Sequence, residues 1–250
     1  MFLLSDLDLS GGDMLVLFDI DGTLLRRLPH DDGRHRISMK EEAFMRMVRR
    51  LWSLDRGLYT RVIGRNLRGM TDFEIILELT TRMGIPRDEV LGRMEEVKAV
   101  LIAEFDLLTA EHGSTNEYAI LPGVRELLGQ LKTLKVKLGL ATGNLEHFAM
   151  YKLSLLELDG FFSLGGFGDR FLKRSDIVAG AIRDGGEEVS YLVGDTPRDI
   201  LAAQACGIGV VAVATGGHSH EELTSYSPNL LVRDLTDTRP ILDYLGLRNS

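Results

Sequence analysis

Two carboxylates one residue apart, followed by a glycine, form the run best suited to chemistry in this chain: Asp19-Ile20-Asp21-Gly22-Thr23. Such a run sets two acids side by side, and Gly22 permits a sharp turn that exposes backbone N–H groups. Acids and N–H donors together favour a cation and a phosphate. A carboxylate can attack phosphorus only where the phosphate charge is neutralised, which calls for a metal ion, cationic side chains and aligned donors. Taken alone, the run also fits a plain turn or a calcium-loop fragment. The calcium reading lacks the Glu it needs at its twelfth position, because the residue there, counted from Asp19, is His30.

Three later runs offer the missing partners: Thr142-Gly143-Asn144, the cation pair Lys173-Arg174, and Gly194-Asp195-Thr196-Pro197-Arg198-Asp199. Thr142 could cap a helix starting near Leu145, and a helix start is also an anion site. Lys173 and Arg174 could each be ordinary surface cations. His218-Ser219-His220, beside Glu221-Glu222, reads as a solvated loop and helix start rather than a metal site.

The elements that must position these residues are legible. Met14 to Phe18 is a continuous apolar run ending at Asp19, as in a strand buried on both faces of a parallel sheet. Similar runs cover Val136 to Ala141, Ser190 to Val193 and Ile208 to Ala214, the last preceding Thr215-Gly216-Gly217. Helical patterns alternate with them, which predicts βαβ units and a three-layer α/β core. Val124, Leu127, Leu128 and Leu131 form one apolar helix face. A second helix starts at Pro197, with Ile200, Leu201 and Ala205 expected to face inward and Gly207 to stop it. Ligands in such sheets sit at the carboxyl ends of the strands, where the polar runs lie.

Residues 28–117 read differently, as helix-period segments with no convincing strand. Their faces are Phe44, Met47, Val48 and Leu51; Ile75, Ile76 and Leu79; and Leu91, Met94, Val97, Leu101, Phe105 and Leu108. The turn-rich stretches Leu28 to Gly33 and His112 to Asn116 bound this segment. The expectation is a Rossmann-like core, residues 1–27 and 118–250, with an inserted α-helical cap at 28–117.

The 250 residues can bury a sizeable core. A formal charge of -8 gives no footprint for nucleic acid or an anionic membrane surface, so a small diffusible partner is expected. The single cysteine, Cys206, excludes an internal disulfide or a cysteine zinc cluster and favours a reducing, cytoplasmic setting. No 18-residue uncharged apolar run suggests a membrane span. Oligomeric state is left open.

In their order, these runs resemble the four motifs of the haloacid dehalogenase superfamily, in its phosphatase branch. The resemblance covers about 14–27 and 118–250. It implies that Asp19 is a nucleophile and Asp21 a general acid and base. Thr142 then binds phosphate with the main chain that follows, and the implied phosphate-binding set is Ile20, Gly143 and Asn144. The fourth motif makes Asp195 a magnesium ligand supported by Asp199. The implied Mg2+ set is the Asp19 and Asp195 side chains, the Asp21 carbonyl, phosphate oxygen and water, in keeping with the preference of magnesium for oxygen. The third motif departs from the usual Lys before Pro-x-Pro; Lys173 matches the usual type and Arg174 the arginine variant, with Arg174 preferred.

Gly69-Met70-Thr71-Asp72 resembles a stretch in the caps of phosphoglycolate-phosphatase-like members. It implies a small phosphorylated acid or sugar as substrate, with Thr71, Asp72, Arg65 and Arg68 as candidate contacts. Thr71 is equally a normal helix N-cap. The expected activity is magnesium-dependent hydrolysis of a small phosphomonoester through an aspartyl-phosphate. The alternatives are a phosphosugar mutase with the same intermediate and a non-catalytic phosphate-binding module; a dehalogenase is disfavoured by Asp21 and Asp195.

Overall fold

The computed structural model describes residues 14–28, 37–58, 67, 69–113, 117–186 and 189–247. These divide into two compact units. One holds the described residues up to Arg26 and from Tyr118 onward; the other is Arg27–Glu117.

The first unit is built on a six-stranded sheet in the order β5-β4-β1-β6-β7-β8. The strands are β1 (Met14–Phe18), β4 (Lys137–Ala141), β5 (Leu164–Gly166), β6 (Val189–Gly194), β7 (Gly209–Val213) and β8 (Leu230–Val232). Every neighbouring pair is parallel. A short second sheet pairs β2 (Leu25–Arg27) with β3 (Tyr118–Ile120).

All five residues of β1 are fully buried, and alternation sends them to opposite faces. Met14, Val16 and Phe18 pack with Val124, Leu127, Leu128 and Leu131 of α5 (Val124–Thr133) and with Ala149 and Leu153 of α6 (Glu146–Ser154). Leu15 and Leu17 pack on the other side with Ile177, Val178 and Ala181 of α7 (Arg174–Gly185) and Ile200, Ala202 and Ala203 of α8 (Pro197–Ala205). Burying a side chain of this size contributes about 1.5–3 kcal/mol. Helices thus cover both faces of the sheet. The small helices α9 (His220–Thr224) and α10 (Arg239–Tyr244) complete this unit.

From β1 the chain builds outward through β4 to β5, then crosses to build β6, β7 and β8 on the other side. This reversal of direction leaves a crevice at the carboxyl end of β1.

The second unit holds α1 (Met39–Trp52), α2 (Asp72–Arg82), α3 (Arg87–Gly92) and α4 (Met94–His112). Ser38 and Thr71 start α1 and α2 with capping boxes that use Glu41 and Glu74. Among the described residues no helix is long and apolar enough to cross a membrane.

Three expectations need correction. Leu201 is half exposed and Ala205 is exposed, because α8 turns Ile200, Ala202 and Ala203 inward instead. Leu91 is 38 % exposed and lies on α3, which ends before α4 starts at Met94, so the third helical face is two helices. Ile75 and Leu51 are only partly buried, while Leu77 takes a core place on α2. Of the expected bounding stretches, residues 29–33 and 114–116 lie outside the described residues.

Candidate active site

Asp19 directly follows β1, and its N–H donates to the Val193 carbonyl at 3.0 Å, continuing the ladder to β6. The chain then turns tightly. Gly22 sits at φ 93, a left-handed conformation that favours glycine, and its N–H donates to the Leu25 carbonyl at 2.7 Å. Thr215, just after β7, donates from its hydroxyl to the Gly22 carbonyl at 2.5 Å and ties the turn to the neighbouring strand end.

Asp195 and Asp199 follow β6. Thr196 caps α8 in a reciprocal box with Asp199, whose Oδ2 accepts from the Thr196 N–H at 3.1 Å and hydroxyl at 2.7 Å. The other oxygen of Asp199 accepts from Arg174 Nε at 2.8 Å and Nη2 at 2.6 Å. Arg174 Nη2 also reaches Asp19 Oδ1 at 2.7 Å. Thr23 donates to Asp195 Oδ1 at 3.2 Å. Lys173, by contrast, is exposed.

Carboxylate oxygens of Asp19, Asp195 and Asp199 lie within 4.8 Å of one another, all three residues buried. One guanidinium is set against three acids. Burial pushes the Asp19 carboxyl up to about 6, against the pull of Arg174 and with Asp199 adding to the rise. Burial and then the negative charges of Asp19 and Asp199 hold Asp195 well above the usual carboxylate range. Burial opposes the Arg174 charge, but Asp199 and Asp19 outweigh it and raise its pKa. Such crowding is relieved by a cation, and the donors are oxygen only, which suits magnesium. The backbone closes tightly on Asp195: a Cβ on Gly22 or Gly216 would overlap its carboxylate.

A second cluster surrounds Asp21. Its side chain is 47 % exposed, and Lys152 Nζ approaches its two oxygens at 2.8 and 2.7 Å. Asn144 Nδ2 donates to Asp21 Oδ2 and to Thr142 Oγ1, each at 2.8 Å, while its Oδ1 accepts from Lys152 at 2.9 Å. Thr142 is buried, and its N–H donates to the Gly166 carbonyl at 3.0 Å. It does not cap α6, whose N-cap is Leu145 with no side-chain bond. Asn144 is therefore seen on the Asp21 side of the site. Gly143, between Thr142 and Asn144, is approached so closely by Gly168 that a Cβ on Gly168 would overlap the Gly143 carbonyl. Ile20 is fully buried, and its carbonyl accepts from Leu24 and Leu25 at 2.9 Å.

Sequence reasoning missed Lys152. A signal existed: it follows Phe148 by four positions and Ala149 by three, which puts a charge on the inward stripe of α6.

In the second unit, Thr71 and Asp72 are buried, Thr71 in its cap and Asp72 paired with Lys40. Arg65 and Arg68 lie outside the described residues. Ser219 caps α9, and His218 meets Glu222 at 2.8 Å, a local loop arrangement.

A parallel sheet with helices on both faces and an acidic turn at its switch point defines the three-layer α/β class of enzyme core. The family model for haloacid dehalogenase-like hydrolases matches residues 70–213, more than half of the chain, and the chain belongs to that family. Asp19 and Asp21 lie before the matched segment. Phosphoglycolate phosphatase 1 of Pseudomonas aeruginosa is 26 % identical over 92 % of this chain and 79 % of its own length. Two solved structures share the fold. A hydrolase from Pseudomonas syringae has a TM-score of 0.61 at 23 % identity, over 92 % of this chain and 98 % of that one. A chain from Thermotoga maritima named as a beta-phosphoglucomutase has a TM-score of 0.55 at 22 % identity, over 92 % and 98 %.

Proposed function

We propose that this protein is a magnesium-dependent phosphatase that hydrolyses small phosphomonoesters through an acyl phosphate on Asp19. The observation that carries the reading is the separation of the acids into two environments. Asp19 stands buried with Asp195 and Arg174, while the partly exposed Asp21 meets Lys152 and Asn144. A nucleophile and a proton carrier need different surroundings, and this division supplies them.

Magnesium would be held by the Asp19 and Asp195 carboxylates and the Asp21 carbonyl. Asp199 supports rather than binds it, because Arg174 and Thr196 already engage both its oxygens. When bound, the ion supplies charge neutralisation for phosphate and carboxylates together. Arg174 orients Asp19 and offers positive charge beside it. Thr142 and the N–H groups of Gly143 and Asn144 receive the phosphate, with Ile20 contributing main chain.

Asp19 attacks phosphorus as the bond to the leaving alcohol breaks, and Asp21 gives that oxygen its proton. Water then attacks the aspartyl-phosphate and loses a proton to Asp21. The bond to Asp19 breaks, and inorganic phosphate departs. Two moderate displacements replace one difficult step.

The likeness to phosphoglycolate phosphatase 1 supports a small phosphorylated acid as substrate, with a sugar phosphate as the alternative. The helical unit Arg27–Glu117 is assigned the cap role and with it substrate choice. The lone, partly buried Cys206 fits a reducing cytoplasm.

The test is a screen of 2-phosphoglycolate and small sugar phosphates, with magnesium and with EDTA, followed by phosphorus NMR. Inorganic phosphate released only with magnesium is the expected result. Isomerised sugar phosphate would indicate a mutase, and no turnover by folded protein would leave a phosphate-binding module.

A further inference from the structure

Lys152 is 6 % exposed, yet its ammonium is directed at a carboxylate that is itself about half exposed. Taking an ammonium out of water costs several kcal/mol unless its partners are well placed, whereas Met or Leu would fill the same volume at no such cost. Here the partners are well placed. Nζ meets both Asp21 oxygens and Asn144 Oδ1 within 2.9 Å, and the Tyr118 ring lies 5.2 Å away. Asn144 closes the circuit by donating to Asp21 Oδ2 and Thr142 Oγ1. The bond directions agree with one another: the amide oxygen of Asn144 faces the cation and its nitrogen faces two acceptors.

We infer that Lys152 is a positioning residue that, with Asn144, clamps the Asp21 carboxylate in one orientation for proton transfer. It also links that orientation to the Thr142 hydroxyl. Lys152 acts through Asp21, both of whose oxygens its ammonium meets. An exposed Asp otherwise samples several rotamers, and loss of alignment by about 1 Å costs on the order of 100-fold in rate. The inference rests on the reading of Asp21 as the acid and base of the reaction.

The test compares kcat/KM for two substrates, p-nitrophenyl phosphate and 2-phosphoglycerol, in wild type, Lys152→Met and Lys152→Arg. Nitrophenolate departs without a proton, whereas an alkyl alcohol needs one, and kcat/KM reports the first displacement. Lys152→Met is expected to lower kcat/KM for the alkyl ester about 10- to 100-fold, with a change under about threefold for p-nitrophenyl phosphate. Inhibition by inorganic phosphate should stay within about twofold, and Lys152→Arg should recover most of the loss. In an Asp21→Asn background, Lys152→Met should add nothing.

Equal losses on both substrates, or a loss that persists in full on Asp21→Asn, would overturn the inference. Should Lys152→Met fail to fold, Lys152→Gln carries the same expectations. Equal losses in a protein whose turnover disappears with Asp19→Asn would overturn the clamp alone. Wild type inactive on both esters and on every phosphomonoester of the screen would overturn the phosphatase reading and the clamp with it.

Discussion

Arg174 Nη2 lies 2.7 Å from Asp19 Oδ1, with both side chains only one-tenth exposed. Because the same nitrogen also meets Asp199, this guanidinium joins the carboxyl end of β1 to the start of α8. Its planar fork can serve two acids at once, which a lysine cannot do with fixed geometry.

Arg174→Met should therefore remove the only cation bonded to Asp19 and Asp199 among the described residues and leave buried carboxylates in mutual repulsion. The expected cost is about 3–5 kcal/mol of stability, with at least a 100-fold loss of turnover. Denaturant melts and phosphate release measure the two. Lys173→Met, at an exposed position, should stay within about threefold of wild type.

Asp19→Asn should abolish phosphate release by a factor of about 1000 or more while the protein still folds. Acid-quenched mass spectrometry should detect a phosphorylated peptide containing Asp19 in wild type and none in the variant. Residual turnover near wild type would reject Asp19 as nucleophile.

Stability of the metal-free protein should respond to pH through Asp19. Its folded-state value of about 6 stands above its ordinary 3.8, so the folded chain binds more protons than the unfolded one between those values. Stability from this group is thus greatest at low pH and falls as pH rises through that window. Asp19→Asn should gain on wild type by about 1–3 kcal/mol between roughly pH 4 and 7 in EDTA. A gap that does not move with pH would contradict this.

Gly216→Ala should weaken magnesium binding, because the added Cβ would displace the Asp195 carboxylate. Calorimetric titration should show about a 10-fold or larger loss of affinity. Adding magnesium should raise the wild-type melting temperature more than that of the variant.

Thr71→Ala should cost about 1 kcal/mol through loss of the α2 cap. If Thr71 only caps, kcat/KM is unchanged once the protein is folded. A KM effect larger than about fivefold would restore its substrate role.

Several of these residues were legible in the chain itself. β1 and β7 are unbroken apolar runs, and β4 and β6 nearly so apart from Lys137 and Ser190, because both faces of a parallel sheet are buried; the polar turn after each announces a strand end. β5 and β8 were not, since Leu164–Gly166 and Leu230–Val232 are three-residue edge strands, too short to show a period. Pro197 marked the start of α8, but not its inward face. There small Ala202 and Ala203 pack inward beside Ile200 while the larger Leu201 faces solvent. Hydrophobicity alone does not reveal which way a short helix is turned.

The order of acids, glycines and cations along the chain determined which chemistry was available: Asp-x-Asp-Gly-Thr, then Thr142, a cation and Asp195, each at the end of a strand or the start of a helix. Only the tertiary structure decided which cation bonds which acid. Arg174 faces Asp19 because α7 packs against β1, and Lys152 meets Asp21 because the inward face of α6 carries it there. Strand and helix periods are local properties readable from neighbours, whereas pairing of distant side chains depends on how layers stack and on which charges that stacking buries.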